Sequence, residues 1–582
     1  MRSFFKIFFA SLLAFFVFCL VIFFIMIAVV GSITSKDKQK VADKTILELD
    51  LGSMYSEVVA KDPFSQISGE GESPSLYELL RLIHHAKTDN NISGIYIRAN
   101  SNGNGFAASN EIRNALLDFR NSKKFVISYA DVMSQQGYFV ASAADKIYLN
   151  PVGGLSWEGF SIVMPFIKGS LEKLQIEPQI FYAGKFKSAT EIFRAEKMTP
   201  ENRLQTEEWL GDMYQHFLVQ TAAARGLDTA TLIRLAVQQV VQTPQDAVAN
   251  RLIDSVKYDD QVKDELKRLL SLDKFDKMNM LSFSKYKETV NLRKGGSDRI
   301  AVIYAEGDIV DGMGGSDNIG GENFQKIIRK ARLDKSVKAI VLRVNSGGGS
   351  ALASEQIWRE LQVAKQDGKP VVVSFGNVAA SGGYYIAAGA DSIFSNPNTI
   401  TGSIGVFGVI PNMQGFFKNK LGITFDQVTT APYADAGGIH RPMTEIEKRI
   451  IQTEIERIYL QFKQRVAQGR KMDMNLVDSF AQGRVWSGTD ALQIGLVDRM
   501  GNLQDAIECA GRMAKITSYG LKEYPESESW INNLLGRNKT EPSAMLRKEL
   551  GEENYQVYKQ LSGIREMTRS IQARLPFQFY IQ

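Results

Sequence analysis

The sequence VVVSFGNVAASGGYY, residues 371–385, is the stretch around which the chain is organised. An apolar β-branched run gives way to small residues around Ser381, and two tyrosines and an Ala-rich segment follow. This order predicts a buried strand, a sharp turn and the start of a helix. A helix start offers free N–H groups to a developing anion, which is what a nucleophilic serine needs. Taken alone, the stretch is better explained as a glycine-rich turn whose serine has no catalytic role than as the site of a nucleophile.

The chain repeats itself at an offset of 244 to 246 residues. The matching pairs are 94–116 with 339–361, 128–151 with 374–397, and 243–256 with 487–500. A fixed offset of this kind indicates two copies of one domain, each of about 220 residues. Each copy alternates strand, glycine turn and helix, which predicts an α/β layered domain.

The two copies differ where chemistry is expected. Ser381 aligns with Gln135 in the first copy, so the first copy has no equivalent serine. Downstream the asymmetry is reversed, because Lys187 of the first copy aligns with Ala434 of the second. A duplicated enzyme whose site is divided between its halves fits this pattern, and so does ordinary drift after duplication.

Composition excludes several classes of protein. The 582 residues are 44% hydrophobic and 23% charged, as in a folded chain of two or more domains. The net charge of +5, without a basic patch among aromatics, argues against nucleic-acid binding. The two cysteines and four scattered histidines predict neither a disulfide framework nor a metal site, and no cofactor is expected.

The N-terminal region predicts a membrane anchor. Residues 7–30 contain 24 positions without a charge, enough for a helix that crosses a bilayer. A cleaved signal peptide is the alternative, but its apolar core is usually about 7–15 residues long. Lysines and arginine lie on both sides of the run, so charge does not fix the orientation.

The predicted organisation has five parts. A polar stretch with the composition of a linker separates the two copies, and a helical stretch is expected after the second copy. The parts are a membrane anchor and stalk (1–44), the first copy (45–283), the linker (284–298), the second copy (299–514) and a C-terminal helical extension (515–582).

Four motifs together resemble the signal peptide peptidase A (protease IV) family in its long, duplicated form. They are LRVNSGGGS (342–350), NVAASGGYY (377–385), NPNTITGSIGVFG (396–408) and GKFKSATEIF (184–193). The resemblance covers nearly the whole chain. It implies two tandem domains of the ClpP/crotonase-like α/β fold behind an N-terminal transmembrane helix, and a homotetramer. It also implies a single-pass protein of the inner (cytoplasmic) membrane with its catalytic part on the extracytoplasmic side.

The resemblance implies a role for each site residue. Ser381 is the expected nucleophile, Lys187 the general base, and Ser403 the residue that orients the lysine. Gly348 and Gly382 are expected to supply the oxyanion N–H groups. The implied activity is a serine endopeptidase that cleaves hydrophobic peptides such as signal peptides after their release. Gly347 departs from the family, which usually has proline there, and we expect activity to survive this looser turn.

A lysine can act as a base only when its pKa is lowered from about 10.4. Burial against apolar groups has this effect, so we expect Lys187 to be buried without a carboxylate partner. Lys185 should instead face solvent, which requires a bend that Gly184 permits. A pairing of Glu191 with Lys187 would keep the lysine charged and contradict the mechanism.

Several alternatives stay open at this point. Other serine sites are a Ser-His-Asp triad through His440 and the Ser-x-x-Lys spacings at Ser170/Lys173, Ser271/Lys274 and Ser284/Lys287. Other functions are a catalytically silent membrane-bound oligomeric scaffold of the same fold and a crotonase-type acyl-CoA enzyme.

Overall fold

The computed structural model describes residues 2–34, 41–59, 72–292, 295–315, 317–526 and 571–575. Within 2–34 it describes the side chains of residues 4, 6–22 and 24. The α-helices are α1 (Arg2–Thr34), α2 (Leu76–Ala86), α3 (Phe106–Arg120), α4 (Gln135–Ala141), α5 (Lys168–Leu174), α6 (Glu191–Arg194), α7 (Pro200–Arg225), α8 (Thr229–Val237), α9 (Pro244–Ala249), α10 (Asp259–Leu269), α11 (Phe283–Thr289), α12 (Gly321–Leu333), α13 (Ala351–Gln366), α14 (Gly382–Ala387), α15 (Glu445–Arg470), α16 (Met474–Phe480), α17 (Gly488–Gln493) and α18 (Leu503–Met513).

The strands form three sheets. They are β1 (Thr45–Asp50), β2 (Ile92–Arg98), β3 (Phe125–Met133), β4 (Lys146–Leu155), β5 (Glu177–Ala183), β6 (Ser255–Val256), β7 (Met280–Ser282), β8 (Arg299–Glu306), β9 (Asp308–Val310), β10 (Asn318–Gly320), β11 (Val337–Ser346), β12 (Gly348–Ser350), β13 (Val371–Ala380), β14 (Ser392–Ser395), β15 (Ile400–Gly402), β16 (Val406–Asn412), β17 (Val485–Ser487), β18 (Arg499–Met500), β19 (Gly520–Tyr524) and β20 (Gln572–Arg574).

Two of the sheets belong to the two copies. The first is parallel and has the order β6-β4-β3-β2-β1-β7. The second contains β17-β15-β13-β11-β8-β19, with β14 beside β13. Helices follow the strands in both, and the central strands are buried runs of β-branched and aliphatic residues. Parallel strands covered by helices have this composition, so the predicted α/β class is confirmed.

The repeat is visible in matching hydrogen bonds. The hydroxyl of Tyr138 donates to the carbonyl of Leu252 in the first copy, and that of Tyr384 donates to Leu496 in the second. The helices α7 and α15 each have 26 residues and begin with a threonine cap. The predicted duplication is thus confirmed in three dimensions.

The third sheet joins the copies. Its order is β10-β9-β12-β20-β16-β5, in which β5 comes from the first copy and β16 from the second. Seven residue pairs link these two strands in antiparallel register, from Val406 opposite Ala183 to Asn412 opposite Glu177. This pairing sets the position of the chain that follows β5 relative to the second copy.

A buried charge cluster also joins the copies. Arg343 on β11 donates to Glu111 of α3 at 2.9 Å and to Glu57 at 2.7 Å. All three side chains are at most 4% exposed. Breaking such a buried pair leaves an uncompensated charge, so the cluster favours one docked arrangement of the two copies.

Two predicted features concern the ends of the chain. Among the described residues, no helix is long and apolar enough to cross a membrane. The predicted C-terminal helical stretch lies largely in 527–570, outside the described residues. The two described parts of the predicted extension (515–582), residues 515–526 and 571–575, contain the strands β19 and β20 and no helix.

Candidate functional site

Ser381 lies at a sharp turn between β13 and α14. Its backbone has φ 54° and ψ −115°, a conformation that non-glycine residues rarely adopt. Its N–H donates to the carbonyl of Gly402 at 2.8 Å, which holds the turn against β15. The side chain is fully buried. Strained serines of this kind occur at functional sites, and the strain here is balanced by the surrounding strands.

Lys187 reaches this turn from the other copy. The chain bends after β5 at Gly184, whose φ is 104°, and Phe186 N–H donates to the carbonyl of Gln482 at 2.8 Å. A Cβ on Gly483 would lie 2.7 Å from both the Cβ and the backbone N of Lys187. Glycine at 483 is therefore required for the lysine backbone to approach so closely. Because of the bend, Lys185 is exposed as expected, while Lys187 is 1% exposed.

The amine of Lys187 has three polar neighbours. Its Nζ lies 2.7 Å from Ser381 Oγ, 3.1 Å from Ser403 Oγ and 3.2 Å from the Ser403 carbonyl oxygen. The ring of Phe407 lies near it, with 6.0 Å from Nζ to the ring centroid. Among the described residues, no carboxylate pairs with Nζ, and burial lowers the pKa of Lys187 well below its usual value. These surroundings favour the neutral form of the lysine, which is the form that can accept a proton.

The carboxylate of Glu191 forms hydrogen bonds with Thr199 and Asn202 rather than with Lys187. It accepts hydrogen bonds from Thr199 N–H at 3.2 Å, Thr199 Oγ1 at 2.5 Å and Asn202 Nδ2 at 2.9 Å. The carboxylate that could have kept Lys187 charged is therefore held on the first turn of α7.

Ser403 is positioned by its backbone. Its φ of 51° is left-handed, and its N–H donates to the carbonyl of Arg484 at 2.7 Å. This turn directs both the carbonyl and the hydroxyl of Ser403 toward the same amine. Two acceptors on one residue can take two hydrogens of a neutral amine, which leaves its lone pair free for Ser381.

Gly348 and Gly382 lie together beside the serine turn. Gly348 has φ 98°, and a Cβ on it would lie 2.6 Å from the N of Gly382. The N–H of Gly348 donates to Ser346 Oγ at 3.1 Å. The two glycines are therefore in close backbone contact, and a side chain on Gly348 would collide with the backbone of Gly382.

The alternative serine sites lie elsewhere. In the first copy Gln135 replaces the serine, and its amide exchanges two hydrogen bonds with the backbone of Gly159. His440 lies in a largely exposed loop, where it contacts Asp435 and Gln427. The described hydrogen-bond partners of Ser381 Oγ are Lys187 Nζ and the carbonyl of Gly405, and His440 is not among them. Among the described residues, no cluster of three or more His, Cys, Asp or Glu side chains could hold a metal ion.

Two features of this region escaped the sequence analysis. One is the charge cluster of Arg343, Glu57 and Glu111, whose members lie far apart in the chain. The other is β20, which lies between β12 and β16 beside the glycine turn. Arg343, a charged residue within the largely apolar strand β11, was a signal for the first. The short segment IQARL gave no signal for the second.

Comparisons with known proteins decide the family. Peptidase family S49 matches residues 118–273 and again residues 363–517. The chain belongs to peptidase family S49. The double match coincides with the repeat, so the S49 domain is present in tandem.

Relatives of this S49 chain extend over most of its length. It is 34% identical to "Protease 4" of Haemophilus influenzae over 84% of this chain and 83% of that protein. It is 36% identical to "Protease 4" of Salmonella typhi over 83% and 79%, respectively. The "Serine protease SPPA, chloroplastic" of Arabidopsis thaliana is 32% identical over 76% of this chain and 66% of that protein. The predicted resemblance is therefore confirmed, and it supports a serine protease.

Among solved structures, a ClpP1 mutant from Listeria monocytogenes matches 35% of this chain and 94% of its own. The sequence identity is 17% and the TM-score is 0.24, which is too low to support an argument.

Proposed function

We propose that this S49 protein is a serine endopeptidase that uses Ser381 as nucleophile and Lys187 as general base. The observation that carries the proposal is the 2.7 Å separation of Lys187 Nζ and Ser381 Oγ in a buried setting, where no carboxylate of the described residues pairs with the amine. A base within about 2.6–3.2 Å of a hydroxyl is the arrangement that activates a serine.

In the proposed first step, Ser381 Oγ attacks the substrate carbonyl carbon and its proton moves to Lys187 Nζ. The two acceptors of Ser403 hold the remaining hydrogens of the amine, so that its lone pair faces the serine. The N–H groups of Gly348 and Gly382 would stabilise the oxyanion. For Gly348, the substrate oxygen replaces the hydroxyl of Ser346 as acceptor.

In the second step, the protonated lysine gives its proton to the leaving amine and the peptide C–N bond breaks. Water then hydrolyses the acyl-enzyme, with Lys187 again acting as base. The same buried amine serves both steps, because burial lowers its pKa and so makes both the gain and the loss of a proton easier.

The proposed substrates are hydrophobic peptides, such as signal peptides after their release. The support is the resemblance to the signal peptide peptidase A family and the uncharged run of residues 7–30, which fits a membrane anchor. We extend the proposal to a single-pass protein of the inner membrane, with its catalytic part on the extracytoplasmic side, and to a homotetramer. Neither nucleic acid nor a cofactor is part of the proposed function.

A catalytically silent scaffold of the same fold is the second candidate. It requires no particular relation between Ser381 and Lys187, whereas these residues come from different copies and meet at hydrogen-bond distance. The meeting of two residues from different copies therefore favours the peptidase.

Labelling with a fluorophosphonate probe tests the proposal. Wild type should label, and Ser381→Ala should not. Lys187→Ala should label at least 100-fold more slowly, because a positioned base contributes about 10²–10⁴-fold. Lys185→Ala is the matched control, since this exposed lysine lies two residues away. Labelling of Ser381→Ala at the wild-type rate would exclude this nucleophile.

A further inference from the structure

The side chain of Gln205 joins the two copies beside the proposed site. Gln205 belongs to α7 of the first copy and is 1% exposed. Its Oε1 accepts the N–H of Val485 in the second copy at 3.0 Å. Its Nε2 lies 3.2 Å from both the carbonyl oxygen of Phe186 and Ser188 Oγ, which are acceptors for its hydrogens. Phe186 and Ser188 are the two chain neighbours of Lys187. One amide therefore holds the chain on both sides of the proposed base.

Val485 connects Gln205 to the backbone that carries the two serines of the site. It is the first residue of β17, where it pairs with Gly402 of β15. The carbonyl of Gly402 accepts the N–H of Ser381 at 2.8 Å. The residue before Val485 is Arg484, whose carbonyl accepts the N–H of Ser403 at 2.7 Å. Gln205 thus lies between the lysine-bearing chain and the strand that supports both serine turns.

The orientation of the Gln205 amide is fixed by a buried chain of hydrogen bonds. Asn202 Nδ2 donates to the carboxylate of Glu191 at 2.9 Å, so Asn202 Oδ1 faces the other way and accepts from Gln205 Nε2 at 3.2 Å. With the amide turned over, its oxygen would face the carbonyl of Phe186 and its NH₂ would face the N–H of Val485. Both contacts would then be repulsive, because like groups would oppose each other.

The backbone next to Lys187 needs this support because the side chain that follows it is long and flexible. A residue that takes part in proton transfer must be held to within about 0.5 Å by the groups around it. The N–H of Phe186 donates to the carbonyl of Gln482 at 2.8 Å, and the carbonyl of Phe186 accepts from Gln205. The peptide groups on both sides of Phe186 are therefore tied down immediately before the lysine.

We propose that Gln205 is a positioning residue for the reaction, which holds the segment around Lys187 against the strand beside Ser381, while Asn202 and Glu191 fix the orientation of its amide. This inference rests on the proposed peptidase function and adds a residue to the same site. Gln205 contacts neither of the two reacting side chains in its described hydrogen bonds and acts through the backbone beside Lys187.

Gln179 offers a matched control. It lies on β5, is buried, and accepts a backbone N–H of the second copy, that of Met443 at 2.8 Å. Among the described residues, its Nε2 has no hydrogen-bond partner, so its amide does not hold the segment around Lys187. Methionine is unbranched, like glutamine, and removes one buried hydrogen bond between the copies at either position. Only at Gln205 does the change also release the chain beside the lysine.

Hydrolysis of a fluorogenic hydrophobic peptide is measured for the full-length wild type, Gln205→Met and Gln179→Met, with kcat and KM determined across pH. Gln205→Met should lower kcat about 10- to 100-fold, because a misplacement of about 1 Å can cost about 100-fold. KM should change less than about threefold, since Gln205 supports the base rather than the substrate. The rise of activity with pH should move to higher pH, because a less tightly enclosed amine is better solvated when charged. Gln179→Met should keep the wild-type pH profile and a kcat within about twofold.

Gln205→Glu separates the two ends of the side chain. It keeps an oxygen for the N–H of Val485 and, when ionised, has no hydrogen to donate to the carbonyl of Phe186. Its kcat should be lowered, and its activity relative to wild type at the same pH should recover as the pH falls, because a protonated carboxyl donates as the amide does. Gln205→Met has no group that can be protonated and should show no such recovery.

The outcomes separate this inference from the proposed function, because wild type and Ser381→Ala are labelled with the fluorophosphonate in parallel. If wild type labels and Ser381→Ala does not, the peptidase stands. An unchanged kcat in the Gln205 variants, an equal loss in Gln179→Met, or a loss without a shift in the pH profile would then overturn the positioning role alone. Failure of both Gln205 variants to show a melting transition would assign the residue to the stability of the fold, and would also overturn that role. A wild type that neither labels nor hydrolyses the peptide would overturn both.

Discussion

Replacement of Ser403 by alanine tests how the lysine is held. In wild type the amine of Lys187 has two acceptors on Ser403, at 3.1 Å and 3.2 Å. The substitution removes the hydroxyl and keeps the carbonyl. One buried N–H of the amine then loses its partner, which costs about 1–3 kcal/mol. If the loss falls on the transition state, in which the amine gains its positive charge, kcat/KM decreases about 5- to 150-fold.

The assay is hydrolysis of a fluorogenic hydrophobic peptide, with kcat and KM measured separately across pH. We expect the loss in kcat, because Ser403 bonds the base and not the substrate. The pH at which activity rises should also shift, which a purely structural role would not cause.

Ser403→Gly is the matched control. The backbone of Ser403 is left-handed, with φ 51°, and alanine is strained there whereas glycine is not. If the hydroxyl is responsible, both variants lose activity to a similar extent. Wild-type activity in Ser403→Gly with a loss only in Ser403→Ala would refute the reasoning and assign the effect to the backbone.

Three further predictions concern buried ionisable groups. Activity measured as a function of pH should rise at a pH well below 10.5, because burial lowers the pKa of Lys187. A rise in activity only near pH 10.5 would contradict this prediction. Lys187→Met should raise the melting temperature at pH 7, because burial lowers the pKa of the lysine and so makes folding disfavour its charged form, whereas methionine carries no charge. This gain should shrink as the pH approaches 10.5, and Lys185→Met should show no such trend. Burial raises the pKa of Glu306 to about 7 from 4.5, so its contribution to stability is present below pH 4.5 and is lost as the pH rises through 7. Glu306→Gln should therefore melt higher than wild type at pH 8 and not at pH 4.5; equal differences at both values would contradict the assignment.

The sequence contained enough to predict the α/β class and the duplication, because both depend on local patterns that recur at a fixed offset. It also singled out Ser381 and Lys187 as a difference between the copies. The distance between Ser381 and Lys187 could not be predicted from the sequence. It depends on the pairing of β5 with β16 and on the approach of Gly483 to the lysine backbone.

The register of β20 could not be predicted for a different reason. The segment IQARL has no period and no flanking turn, and the pattern before it favours a helix. Its conformation comes from the free edges of β12 and β16, which lie more than 150 residues away in the chain. Tertiary pairing of this kind overrides local preference.

The division of the site between the copies has a consequence for synthesis. Lys187 leaves the ribosome almost 200 residues before Ser381, and the β16 strand that positions the lysine follows later still. At about 5–20 residues per second, the lysine-bearing half exists for roughly ten seconds or more without a serine. No nascent chain can therefore bring Lys187 against Ser381 before both halves have folded and docked.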